Sequence, residues 1–251
     1  MHITENLLYR DTINFLKIKW LAVFIISLLS SSITIILEHI FLPNANILTL
    51  LYESKINQNI PLFEFLKTLT FDQQRKLLFF LIQKLCSSLA GSAFLIGTLT
   101  IFIQSISLKK ENFFLKLKNV HFFLYVNLFL LMFIITAIVQ IGLIFLVIPG
   151  IICFIFLSLS PIILIIKNTN IIESIFSSIK IAFNNFKIIF PAVMLWFFSK
   201  LIILITFSNL KIIPELILLF LLNTILNLIS SILVIYLFRL YMLLSLPQYF
   251  K

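Results

Sequence analysis

The stretch from residue 143 to residue 191, LIFLVIPGIICFIFLSLSPIILIIKNTNIIESIFSSIKIAFNNFKIIFP, sets the terms for the whole chain. It begins with an apolar run long enough to cross a bilayer, because about 20 helical residues rising 1.5 Å each cover a ~30 Å hydrocarbon core. Pro149-Gly150 and Pro161 lie inside that run, and a short polar knot follows at 167–170. After the knot comes helical spacing that is apolar on one side only. The pattern reads as a bent membrane helix, a membrane exit, and a helix lying on the membrane surface before the chain goes back in.

Composition supports lipid as the solvent. Hydrophobic residues make up 61% of the 251 and charged residues 11%, against about 45–50% and 25% in an ordinary globular chain. A water-soluble fold has no place to hide so much apolar surface. The formal charge of +10 sits mostly in segments between apolar runs, which points to membrane orientation rather than nucleic acid. Cys86 and Cys153 are far apart, both in apolar runs, and read as two inert thiols. His2, His39 and His121 are isolated from one another and from either cysteine, so no metal site or cofactor is expected.

In chain order the reading is all-α: a single polytopic membrane domain over 1–251, with six transmembrane helices and one interfacial helix. The spans are 20–42, 85–107, 120–140, 143–166, 188–208 and 215–237. Residues 1–19 form a polar helical tail on the membrane surface, and Trp20 sits at an interface. Ser27 with Ser31, and Ser30 with Thr34, are four apart and make a packing face, as do Ser88, Ser92, Ala93 and Gly97 in the second span. Residues 43–70 form a polar loop with a short helix at 62–69. Thr70-Phe71-Asp72-Gln73 reads as a capping box that starts a helix outside the membrane. Ile141-Gly142 makes a tight uncharged turn between the third and fourth spans. Pro149 should bend or break the fourth helix near its start, and Pro149-Gly150 fits either a hairpin or a re-entrant turn. Residues 170–187 place Ile171, Ile172, Ile175, Phe176, Ile179, Phe183 and Phe186 opposite Glu173, Ser177, Lys180, Asn184 and Lys187, the interfacial helix. It either lies against lipid or covers the end of its own bundle. Lys211 and Pro214 mark a short turn, and Arg239, Tyr241 and Tyr249 anchor the tail.

Basic residues set the orientation. With the N-terminus inside, inner segments hold twelve Lys and Arg, from Arg10 to Lys251, and outer segments hold six, most of them in the 43–84 region. Both termini and the interfacial helix are therefore expected on the cytoplasmic side.

The chain resembles the YciC family, uncharacterised inner-membrane proteins of Gram-negative bacteria. The likeness is carried by Tyr9-Arg10-Asp11-Thr12, Gln73-Gln74, Val147-Ile148-Pro149-Gly150-Ile151 and Ser160-Pro161. It continues through Asn223-Thr224 and Ile229-Ser230 to the terminal block from Ile235-Tyr236 to Met242-Leu243. The resemblance implies an integral protein of the bacterial inner membrane. It carries no catalytic residue over.

The sequence contains no Gly-rich phosphate loop, HExxH or nucleophile elbow, and no inverted repeat of the transporter kind. The expectation is a non-enzymatic protein, lipid-associated or supporting the envelope, with membrane lipids as its partners and no nucleic acid. A small-solute transporter or channel is the alternative, motivated by polar residues at membrane depth. The candidate intramembrane cluster is Lys200, Asn223 and Asn227. Lys200 and Asn223 fall at matching depth on neighbouring antiparallel spans, and Asn223, Asn227 and Ser231 repeat every four residues. Lys200 either snorkels outward or points inward to the Asn223 carbonyl.

Overall fold

The computed structural model describes residues 5–40, 70–108, 122–208 and 214–249. All its regular elements there are helices: α1 (Glu5–Ile40), α2 (Phe71–Leu108), α3 (Phe122–Phe145), α4 (Val147–Leu157), α5 (Ser160–Lys167), α6 (Ile171–Asn184), α7 (Phe186–Ser208) and α8 (Glu215–Tyr249). Among the described residues, six stretches are long and apolar enough to cross a membrane, with α4 and α5 together making the fourth. The expected loop up to residue 69, the short helix expected at 62–69, the basic segment at 109–119 and Lys211 lie outside the described residues.

Most helices outrun the expected spans, because capping and surface packing extend them beyond the apolar core, but the fourth span starts only at Val147 and the interfacial helix ends at Asn184, with Phe186 and Lys187 on α7. α1 begins at Glu5 and kinks at Lys19 (φ −120°, ψ 20°), next to exposed Trp20. Its first segment is more than a surface tail. Leu8, Thr12 and Phe15 form an i, i+4, i+7 stripe that is fully buried against the bundle. α2 starts one residue after Thr70, whose N–H donates to Gln73 Oε1 at 2.9 Å, the reaching-back half of the capping box.

α3 does not turn at Ile141-Gly142. It stays helical to Phe145, and the chain reverses at Leu146 in an extended conformation (φ −162°, ψ 152°). The reason is the pair of glycines on facing helices. A Cβ on Gly142 would lie 2.9 Å from Gly150 Cα, so the bare backbones of α3 and α4 touch there. At the far end Leu128 and Leu131 of α3 share a core cluster with Leu164 and Ile165 of α5. Contact at both ends makes this a full hairpin rather than a re-entrant turn.

Pro149 falls in the first turn of α4, where a missing N–H costs least. The break comes instead at Ser158-Leu159, with Pro161 within the first two residues of α5. A broken helix in lipid needs its freed carbonyls satisfied by neighbours. Here Ser178 Oγ of α6 donates to Phe156 O at 2.6 Å. α6 follows a turn in which Asn168 is left-handed (φ 52°), a conformation asparagine tolerates.

The core sits where the two ends of the chain meet. From Leu233 to Tyr241 every residue of α8 except Arg239 is buried, around the whole helix circumference. α1, α2, α5 and α7 supply its surroundings. Tyr9 and Tyr236 rings lie 5.1 Å apart, and the Arg239 guanidinium lies over Phe15 at 5.3 Å. Tyr236 Oη donates to Ile188 O at 3.2 Å, tying α8 to α7.

Candidate intramembrane polar cluster

The three sequence-selected residues fall into two separate arrangements. Asn227 faces α1, not α7. Its Nδ2 donates to Ser30 Oγ at 3.2 Å and to Ser31 Oγ at 3.0 Å. One turn on, Ser231 Oγ and Ser27 Oγ are 3.1 Å apart, and Ser231 also donates to Asn227 O at 2.8 Å. Ser30 Oγ in turn donates to Gly91 O of α2 at 2.8 Å. Ser27, Ser30, Ser31 and Thr34, the small hydroxyl face of α1, are all buried here. The result is a polar ladder that ties α1, α2 and α8 with every hydroxyl given an acceptor.

Gly91 makes the ladder possible. A Cβ at that position would land on Thr34 Oγ1 and come within 3.3 Å of Ser30 O. Of the α2 face read from the sequence, Ala93 and Gly97 are buried, Ser92 is half-buried and Ser88 is exposed. Gly91, absent from that reading, carries the closest approach. Its signal was a second glycine, six residues before Gly97 in the same long apolar helix, where glycine marks close packing.

Lys200 lies on α7, half-buried, with Nζ 4.3 Å from the centre of the Trp196 ring. The ring face offers the ammonium an electrostatic partner without an acid. Trp196 is itself fixed from two sides: it stacks on Phe154 of α4 (4.8 Å, 5° between planes), and Nε1 donates to Ser230 Oγ of α8 at 3.4 Å. Asn223 is half-buried on α8, and among the described residues no hydrogen bond joins it to Lys200. Two sequence-invisible partners, Phe154 and Ser230, therefore decide where the cation goes.

Chemically these arrangements hold helices together. No group of three or more His, Cys, Asp or Glu residues that could bind a metal occurs among the described residues. Cys86 and Cys153 are free thiols.

The arrangement defines a polytopic α-helical membrane protein. Residues 1–243 match an uncharacterised protein family, UPF0259. The chain is similar to a UPF0259 membrane protein of Buchnera aphidicola (subspecies Baizongia pistaciae), 44% identical over 251 residues, all of both chains. It is similar to one from Pectobacterium carotovorum, 36% identical over 97% of this chain and 99% of that one. Another from Yersinia pestis is 37% identical over 97% of each. The protein belongs to the UPF0259 family, the family that includes YciC. No solved structure matches it.

Proposed function

We propose that this protein is a non-enzymatic, lipid-associated component of the bacterial inner membrane, with both termini and α6 at the cytoplasmic face. The observation that carries the reading is the three-sided surface of α6. Ser174, Ser178 and Ala182 are buried against the bundle. Ile172, Phe176 and Phe183 form an outward row, 69%, 69% and 73% exposed, and Lys180 is exposed beside it. An apolar row with a lysine beside it suits the boundary between acyl chains and anionic headgroups. The bundle-covering and lipid-facing roles thus belong to different faces of one helix. The meeting of the α1 N-terminal segment with the end of α8 supports placing both termini on one side, and the twelve-to-six distribution of basic residues supports that side being the cytoplasm. Solute transport is not favoured: the Lys200 ammonium rests on an indole ring.

Reporter fusions test the orientation. Fusions after Asn112, Asn170 and Lys251 are expected to read inside and one after Ser54 outside; an outside signal at Asn112 overturns the topology. Phe176→Asp with Phe183→Asp is expected to reduce co-purified anionic lipid and membrane yield. Unchanged lipid content would remove the role of α6.

A further inference from the structure

α2 is pinched against its neighbours at two glycines. Gly91 meets Thr34 of α1, and at Gly97 a Cβ would come 2.7 Å from the Tyr125 ring of α3. On the side of these contacts toward the end of α1 and the start of α2, the three helices part and leave a cavity of about 350 Å³. Its walls are Leu37 of α1, Phe129 of α3, and one face of α2 running from Phe79 through Ile82 and Cys86 to Ala90. The spacing along α2 is three and four residues, so these side chains share one helical stripe. Leu37 lies 17 residues beyond Trp20, about 25 Å along the helix, near the far edge of a ~30 Å hydrocarbon core.

The lining is almost wholly apolar, and at ~30 Å³ for each water-sized unit the space holds roughly a dozen methylenes. An almost wholly apolar lining suits a hydrocarbon chain rather than a headgroup. Two charges flank the lining: half-buried Glu38 follows Leu37, and exposed Lys84 follows Gln83, which itself lines the cavity. They are close enough to feel each other's charge, yet they do not close to an ion pair. A headgroup between them needs both signs.

We propose that this cavity holds one acyl chain of a phosphatidylethanolamine-class phospholipid, with its phosphate toward Lys84 and its primary ammonium toward Glu38. The chain supplies apolar contact to Cys86, Ala90 and Phe129, inward of Lys84, and the headgroup completes two charges that form no ion pair among the described residues. An anionic glycerol headgroup brings the phosphate but no cation for Glu38, so it fits less well. The site rests on the lipid-associated reading above for its class of ligand alone; it lies on different helices from α6.

Cys86 is a built-in reporter. With Cys153→Ser, it is the sole thiol of the full chain. The purified protein in mild detergent is mixed with phosphatidylethanolamine, with phosphatidylglycerol or with neither, and N-ethylmaleimide modification is followed by intact mass. Phosphatidylethanolamine is expected to slow modification several-fold, and Glu38→Gln to abolish that protection. Equal rates with and without phosphatidylethanolamine overturn the site, and equal protection by phosphatidylglycerol overturns the headgroup assignment. Phe176→Asp with Phe183→Asp is expected to leave protection at Cys86 intact, so the α6 reading and this one fail separately.

Discussion

Replacing Gly91 with alanine tests whether Thr34 sets the α1–α2 contact. The new methyl would land on Thr34 Oγ1 and stand 3.3 Å from Thr34 Cβ and from Ser30 O. Thr34 must turn away and surrender its 3.1 Å hydrogen bond to Ser30 O. That loss is about 0.5–1.5 kcal/mol, and overpacking adds about 1–3 kcal/mol. Alanine returns about 1 kcal/mol as the better helix former. With the middle of each range the net expectation is a loss of about 2 kcal/mol for Gly91→Ala. Thr34→Ala alone removes a buried methyl and a hydroxyl bonded to its own helix, about 1 kcal/mol. In the double variant the obstructing oxygen is gone and the helix preference of alanine remains, so it should be no less stable than Thr34→Ala. The coupling is then about 1–3 kcal/mol, within the range for residues in contact. Loss of helical circular dichroism on heating in detergent gives the four stabilities. Additivity within about 0.5 kcal/mol would refute the contact as the controlling one.

Two further outcomes follow from the same geometry. Ser178→Ala should cost about 1–3 kcal/mol in the same assay by leaving Phe156 O without its donor; an unchanged melting temperature would mean the break at Ser158-Leu159 needs no help from α6. Lys200→Met should cost about 0.5–1 kcal/mol, the worth of a partly exposed cation on an aromatic face. Combined with Asn223→Leu it should be additive within about 0.5 kcal/mol. Strong coupling would put the amine on Asn223 after all.

What could be read from the residues was what depends on solvent and on local spacing. Lipid forces its backbone to bond within each helix, so apolar runs translate directly into spans. The capping box needs only four consecutive residues, and it starts α2 where expected. The hydroxyls at Ser27, Ser30, Ser31 and Thr34 announced a packing face, though not the helix it meets. Pairings across helices were beyond reach, because nothing in the spacing of α8 says that Asn227 turns to α1 while Trp196, four residues before Lys200, takes its ammonium. The reversal at Leu146 was hidden for a related reason: Ile141-Gly142 looks like a turn until Gly150 is known to lie against it. Pro149 drew attention because a proline inside a helix is disruptive, yet a first-turn proline removes a donor that would be unpaired anyway. Pro161 held the stronger signal.

The burial of α8 has a consequence for the order of events at the ribosome. Among the described helices, α1 and α8 are each other's main partner, and α1 is made long before α8. Ser31 waits 196 residues for Asn227, which at about 5–20 residues per second is roughly 10–40 s of synthesis. Carbonyls of their own helix are within reach of the α1 hydroxyls without α8, as the bonds from Ser31 to Ser27 O and from Thr34 to Ser30 O in the folded chain show. These short internal bonds let a polar stripe sit among acyl chains before its companion exists. The contact between α1 and α8 can therefore close only after residues 233–241 of α8 have been made. A nascent chain halted before residue 233 would carry five spans and much of a sixth, with an empty place at their centre.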